Sequence, residues 1–158
     1  MVLINRDFSW SSYTYNSNVG NSLSGKKWNL PKDFKSKKTL LLIGYKQNTQ
    51  FDIDRWLIGL DTRKVKVDLY EIPTVSGLIP YMISDKIDGG MKSGIPEKLW
   101  PIVITVYGDA DKIIKFTGNQ NGLNARILLL DEKHKVIFQH DEGFSVEDLS
   151  KLVSLIPR

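Results

Sequence analysis

The chain reads as an α/β domain in which a mixed central β-sheet is flanked by helices in three layers. Three observations predict this. Apolar runs of strand length alternate with runs of helical spacing, the connections between them are short, and the last third follows the order strand, helix, strand, strand, helix. At 158 residues one domain is expected, and a chain of this size buries about two-thirds of its unfolded surface.

The elements follow in order. Residues 1–21 form a leader rich in Ser, Asn, Tyr and Trp with no apolar period, so it is read as loosely structured and the domain as spanning 22–158. Lys26 to Leu30 predicts a short strand ending at Pro31. Thr39 to Tyr45 is apolar without alternation, as in a central strand covered on both faces. Ile53, Trp56, Leu57 and Leu60 then recur at helical spacing, with Thr49 placed as N-cap and Asp52 as a first-turn acid. Val65 to Ile72 alternates and closes at Pro73, which implies a parallel strand pair with a right-handed crossover.

Leu78 to Ile87 has helical spacing despite Pro80, and Gly89, Gly90, Gly94 and Pro96 predict a flexible connection. Ile102 to Tyr107 is strand-like. Asp109 stands as N-cap to a helix over Ala110 to Thr117, which Gly118 stops. Arg126 to Asp131 and Val136 to His140 form a hairpin around the 131–135 turn. Ser145 with Asp148 caps a closing helix whose Val146, Leu149, Leu152 and Val153 make one apolar stripe.

Composition removes whole classes of function. No cysteine is present, so the chain's own side chains cannot carry thiol chemistry or form a disulfide. No apolar run approaches the roughly 18 residues that would suggest a membrane span. The net charge of +4 is uneven: residues 1–75 carry 12 Lys/Arg against 7 Asp/Glu, and residues 76–158 carry 10 against 11. The densest cluster is Lys26, Lys27, Lys32, Lys35, Lys37 and Lys38. It can attract nucleic acid, anionic lipid or an acidic protein face, or simply be a solvated strand edge. Only Trp28 and Phe34 stand beside it for base stacking, so nucleic acid is set aside as a partner.

The polar opening from Ser9 to Ser24 resembles the mature start of an exported protein. A periplasmic or otherwise exported location is expected, with the targeting segment outside this chain; the alternative is cytoplasmic. Phe8, Trp10, Tyr13 and Tyr15 in the leader would pack on the domain itself or on a partner.

Thr39-Leu-Leu-Leu-Ile-Gly-Tyr45 leading into a helix, with Ala125-Arg-Ile-Leu-Leu-Leu-Asp131 followed by Val136-Ile-Phe-Gln-His-Asp-Glu-Gly143, resembles the thioredoxin-like superfamily over about residues 22–156. Ile102-Val-Ile-Thr-Val-Tyr-Gly-Asp109, the Asn119 to Asn124 stretch and Gly143 before a capped helix are similar to mitochondrial-type ATP synthase assembly factors and to peroxiredoxin-like domains. The resemblance implies a cysteine at the start of the first crossover helix and a proline just before the third core strand. This chain has Lys46, Gln47, Asn48, Thr49 and Gln50 at the first place and Asn124 and Ala125 at the second.

The expected function is therefore a redox-inactive binding or assembly module whose partner is another protein, in the direction of a membrane complex if the assembly-factor likeness holds. Gln47, Asn48, Gln50 and Asn124 are the candidate binding cleft, since amides hold a peptide backbone or an anion without chemistry. The competing reading is that these amides cap the helix and bridge the loop. A further alternative is an enzyme or small-ligand binder using the same cleft.

No catalytic residue and no cofactor are assigned. His134 and His140 lie near Asp131, Asp141 and Glu142 in ordinary surface positions, so no metal site is assigned either. Asp52 with Asp54 and Asp109 with Asp111 are spaced i, i+2, which does not bring carboxylates face to face on a helix. Neither a nucleophile elbow nor a phosphate-binding glycine loop occurs.

Overall fold

The computed structural model of the protein describes residues 18–75, 84–107, 111, 113 and 121–157. In chain order the elements are β1 (Asn18–Ser22), β2 (Lys27–Leu30), β3 (Lys38–Gly44), a 3₁₀ turn (Gln47–Thr49), α1 (Gln50–Thr62), β4 (Asp68–Pro73), α2 (Ser84–Gly94), a 3₁₀ segment (Glu97–Ile102), β5 (Ile104–Thr105), β6 (Arg126–Asp131), β7 (Val136–His140) and α3 (Val146–Ser154).

Four strands form the main sheet in the order β4-β3-β6-β7. β3 runs parallel to β4 from Thr39↔Asp68 to Gly44↔Pro73 and antiparallel to β6 from Lys38↔Asp131 to Ile43↔Arg126. This is the mixed sheet expected. Leu41 and Ile43 pack with Ile72, Leu128 and Leu130 on one face, while Leu40 and Leu42 pack with Ile53, Trp56, Leu60, Leu149 and Leu152 on the other. A strand buried on both faces has no reason to alternate, which is why residues 39–44 are uniformly apolar apart from Thr39 and Gly44. α1 and α3 share the second face; Ile113, helical and fully buried, belongs to the first.

A second sheet, β2-β1-β5, is joined to β4 by the parallel bridges Glu71↔Val103 and Thr74↔Val106. β1 takes in Asn18 to Asn21, the last four residues of the expected leader; residues 1–17, with Phe8, Trp10, Tyr13 and Tyr15, lie outside the described residues. Its polar sequence carries no strand signal of its own. It is held by antiparallel ladders to β2 on one edge and β5 on the other, and Gly20 allows the approach, since a Cβ there would meet Ile104 Cγ2 at 2.6 Å.

α2 differs from expectation. A helix was expected from Leu78 to Ile87 and a flexible connection through Gly89, Gly90 and Gly94, yet the helix runs through all three glycines; residues 76–83 lie outside the described part. Each interior glycine weakens a helix by about 1 kcal/mol, and tertiary anchors offset this: Tyr107 Oη donates to Asp88 Oδ1 at 2.7 Å and Thr105 Oγ1 to Met91 Sδ at 3.7 Å. The ladder of the expected 102–107 strand is only Ile104–Thr105, with Val103 and Val106 in single bridges. The helix expected over 110–117 lies mostly outside the described residues.

The closing elements agree with their caps. Ser145 Oγ accepts from Asp148 N at 3.0 Å at the start of α3, and Asp131 Oδ1 accepts from Lys133 N and Lys135 N to close the β6–β7 turn. In the expected apolar stripe Leu149 and Leu152 are buried, but Val146 faces solvent at 63% exposure. No helix among the described residues is long and apolar enough to cross a membrane.

The end of α1 carries a cost. Lys64 sits at φ 53° with Val65 N bonded back to Leu60 O at 3.1 Å, a left-handed helix stop made without glycine. Lys64→Gly should raise stability by about 0.5–1 kcal/mol. Urea unfolding should show a higher midpoint at unchanged slope; an unchanged or lower midpoint would mean that Lys64 is held there by contacts worth more than the strain.

Candidate functional site

β3 ends at Gly44, and the chain turns through Lys46 and the 3₁₀ residues into α1. Gly44 O accepts from both Thr74 N (2.8 Å) and Thr74 Oγ1 (2.9 Å), which pins this corner to the end of β4. Thr49, expected as a helix N-cap, has helical backbone angles and does not cap α1. Its buried hydroxyl instead accepts from Lys46 N at 3.2 Å and donates across the fold to Gly122 O at 2.8 Å. The start of α1 is thereby fixed to the 121–124 loop.

Asp52 is the first-turn acid expected, and it is buried. Its Oδ2 accepts from Ala125 N at 2.9 Å and its Oδ1 from Phe144 N at 2.8 Å, so one carboxylate satisfies two backbone donors far away in the chain. A proline at 125 would have no N–H to give.

The structure brings the 47–50 segment beside the 121–124 loop, but it treats the four candidate amides differently. Gln47 and Asn48 are exposed on the 3₁₀ turn, and neither side chain makes a hydrogen bond among the described residues. Gln50 Nε2 donates to Asp54 Oδ1 at 2.9 Å, and its amide stands close enough to Glu71 to work against the rise of that carboxyl's pKa. Asn124, half-buried, donates from Nδ2 to Asp141 O at 3.0 Å, bridging its loop to the end of β7. Gln47 and Asn48 are thus open to a ligand, while Gln50 and Asn124 already serve the fold.

Glu71 was not singled out by its sequence position. It lies on β4 at 8% exposure, and burial first, with the nearby Asp54 carboxylate adding to it, pushes its carboxyl up to about 7 against the opposing effect of the Gln50 amide. The strand alternation around Val65 to Ile72 was the available signal: an acid flanked by Tyr70 and Ile72 in a central strand has little solvent to face. Both histidines are engaged by backbone, His134 Nε2 with Phe34 O at 3.0 Å and His140 Nε2 with Gly143 O at 2.6 Å. Among the described residues no three His, Asp, Glu or Cys side chains gather at ion-binding distance.

No protein-family model matches the chain, and no curated protein matches it. Solved structures do. The pneumococcal exposed lipoprotein thioredoxin (Etrx1) of Streptococcus pneumoniae strain TIGR4 is 13% identical, with 87% of this chain and 98% of that one covered at a TM-score of 0.59. The SCO1/SenC family lipoprotein of Bacillus anthracis str. Ames is 14% identical over 87% and 89% at 0.56, and Bradyrhizobium japonicum ScoI with copper bound is 17% identical over 89% and 98% at 0.52. At these identities the likeness defines the fold: the chain is a thioredoxin-like α/β domain. It is one without cysteine, so thiol redox chemistry by its own side chains is excluded.

Asp52→Asn should lose about 2–3 kcal/mol, because one backbone N–H then faces an amide instead of a carboxylate oxygen. Chemical denaturation would show this as a lowered midpoint, and a change under 0.5 kcal/mol would demote the staple. For Glu71, the unfolded chain releases its proton near the ordinary 4.5 and the folded chain near 7. The folded state therefore binds more protons between those values, and stability falls as pH rises through the window, by about 3 kcal/mol in full. Glu71→Gln should flatten the melting temperature between pH 5 and 8 and raise it at pH 8, all read by thermal scans.

Proposed function

We propose that the protein is a binding module that uses the old position of thioredoxin-type redox chemistry to grip another protein without turnover. The observation that carries this is the Thr49 Oγ1 to Gly122 O hydrogen bond, because it sets two exposed strips side by side. One strip holds Gln47, Asn48 and Phe51, the last 69% exposed; the other holds Leu123, 52% exposed. Amides without partners next to exposed apolar side chains suit a peptide backbone with an apolar side chain, the usual chemistry of protein recognition. Gln50 and Asn124 support the rim from beneath and are not assigned direct contact.

The assembly-factor resemblance extends the proposal to a subunit of a membrane complex as partner. That extension rests on the sequence likeness alone. A second reading, a small-ligand binder or enzyme at the same rim, is favoured by Glu71, whose carboxyl titrates near neutrality close to Gln50.

Affinity capture of the tagged full chain from gently solubilised source cells, beside a Gln47→Ala/Asn48→Ala variant, tests the proposal. A reproducible partner lost in the variant at unchanged melting temperature is the expected result. A partner captured equally by both chains would move the interface off this rim. Turnover of a small molecule that is abolished by Glu71→Gln would favour the second reading instead.

A further inference from the structure

The redox-site corner lies at the C-terminal ends of β3 and β4; the opposite end of the same sheet carries a different surface. There an open groove of about 570 Å³ is lined by Ser36, Lys37, Lys38, Val65, Lys66, Val67, Asp68, Ile156 and Pro157. It is assembled from three places in the chain: the approach to β3, the approach to β4 and the end of α3. Sequence inspection singles out only the first of these lysine groups, since Lys66 joins it through the fold.

The charge at this end is concentrated. Residues 32–38 and 61–68 carry Lys32, Lys35, Lys37, Lys38, Arg63, Lys64 and Lys66 against Asp33, Asp61 and Asp68. Among the described residues Lys37, Lys38 and Lys66 make no ion pair, and the one acid in the lining, Asp68, accepts a hydrogen bond from the Ser36 hydroxyl. Unneutralised like charges brought together around a concavity make a local positive potential that a complementary partner relieves.

The lining also selects the kind of anion. It contains no aromatic side chain, so nucleic-acid bases have nothing to stack on. Three of its apolar members are recessed, Val65 and Val67 partly buried against the core and Ile156 8% exposed, while Pro157 is exposed at the edge. Recessed valines do not wedge into a bilayer, but they do form a floor for a small side chain. We propose that this groove binds an extended acidic peptide segment of a partner protein, with carboxylates on Lys37, Lys38 and Lys66 and a small apolar side chain on Val65, Val67, Ile156 and Pro157. The surface is separate from the Gln47 and Asn48 rim and stands without it.

The test is fluorescence anisotropy of a labelled octapeptide alternating Glu and Val, titrated with the full chain. Expected are saturable binding, about tenfold weakening by Lys37→Glu/Lys66→Glu, and similar weakening when salt is raised severalfold. The Gln47→Ala/Asn48→Ala chain should bind the peptide unchanged, which separates this site from the rim. Circular dichroism confirms that the charge variant is folded, and the salt series on the unaltered chain gives an answer even if it is not. Absence of saturation, equal binding by the folded charge variant, or no salt dependence would overturn the proposal. Tighter retention on phosphatidylglycerol vesicles or on a single-stranded oligonucleotide than on the peptide would also overturn it, in favour of those anions.

Discussion

The Asp52 carboxylate is the constraint on which the rest of the arrangement depends. Its two backbone bonds reach 73 and 92 residues along the chain, to the residue before β6 and to the residue before the α3 cap. A buried carboxylate accepts such bonds strongly and would be very costly to leave unpaired, so three segments must arrive together or not at all. Once they do, Trp56 one turn later reaches His140 and Phe144 in edge-on ring contacts. Gly59, two turns on, lets α3 approach so closely that a Cβ there would lie 2.8 Å from Leu149.

This staple also occupies the corner that the sequence resemblance compares with a redox site. The resemblance leads one to expect a proline before the third core strand, opposite a cysteine. Here Ala125 stands there and spends its N–H on Asp52. The start of α1 and the 121–125 loop are joined directly, by that bond and by Thr49 to Gly122. The corner is a bonded seam with the exposed Gln47 and Asn48 on its rim.

Much of the fold was legible from residues alone, because the relevant signals are local. Uniform apolarity at 40–43, the Asp131 turn, and Ser145 three residues before Asp148 each fix an element without help from elsewhere. β1 and α2 were not legible for the opposite reason: polar Asn18–Ser22 and the glycines of 89–94 take their form from partners distant in sequence. The candidate site divides in the same way. The position of the corner followed from the strand and helix order, but the roles of Thr49, Asp52 and Glu71 depend on which loops face them. An acid one turn before a core tryptophan was the one hint that Asp52 points inward.

The meeting of the two sheets has a mechanical meaning. Among the described residues β4 and the β5 region meet through the bridges at Glu71↔Val103 and Thr74↔Val106, whereas β3 is laddered along its length on both edges. That line is held by the backbone bonds Val106 N to Pro73 O and Val75 N to Val106 O, both 2.9 Å, and by side chains such as Ile72, Ile104 and Val106. Val103 and Val106, which bridge to β4, flank the Ile104–Thr105 strand that holds β1, so a change on this short stretch acts on both sheets at once.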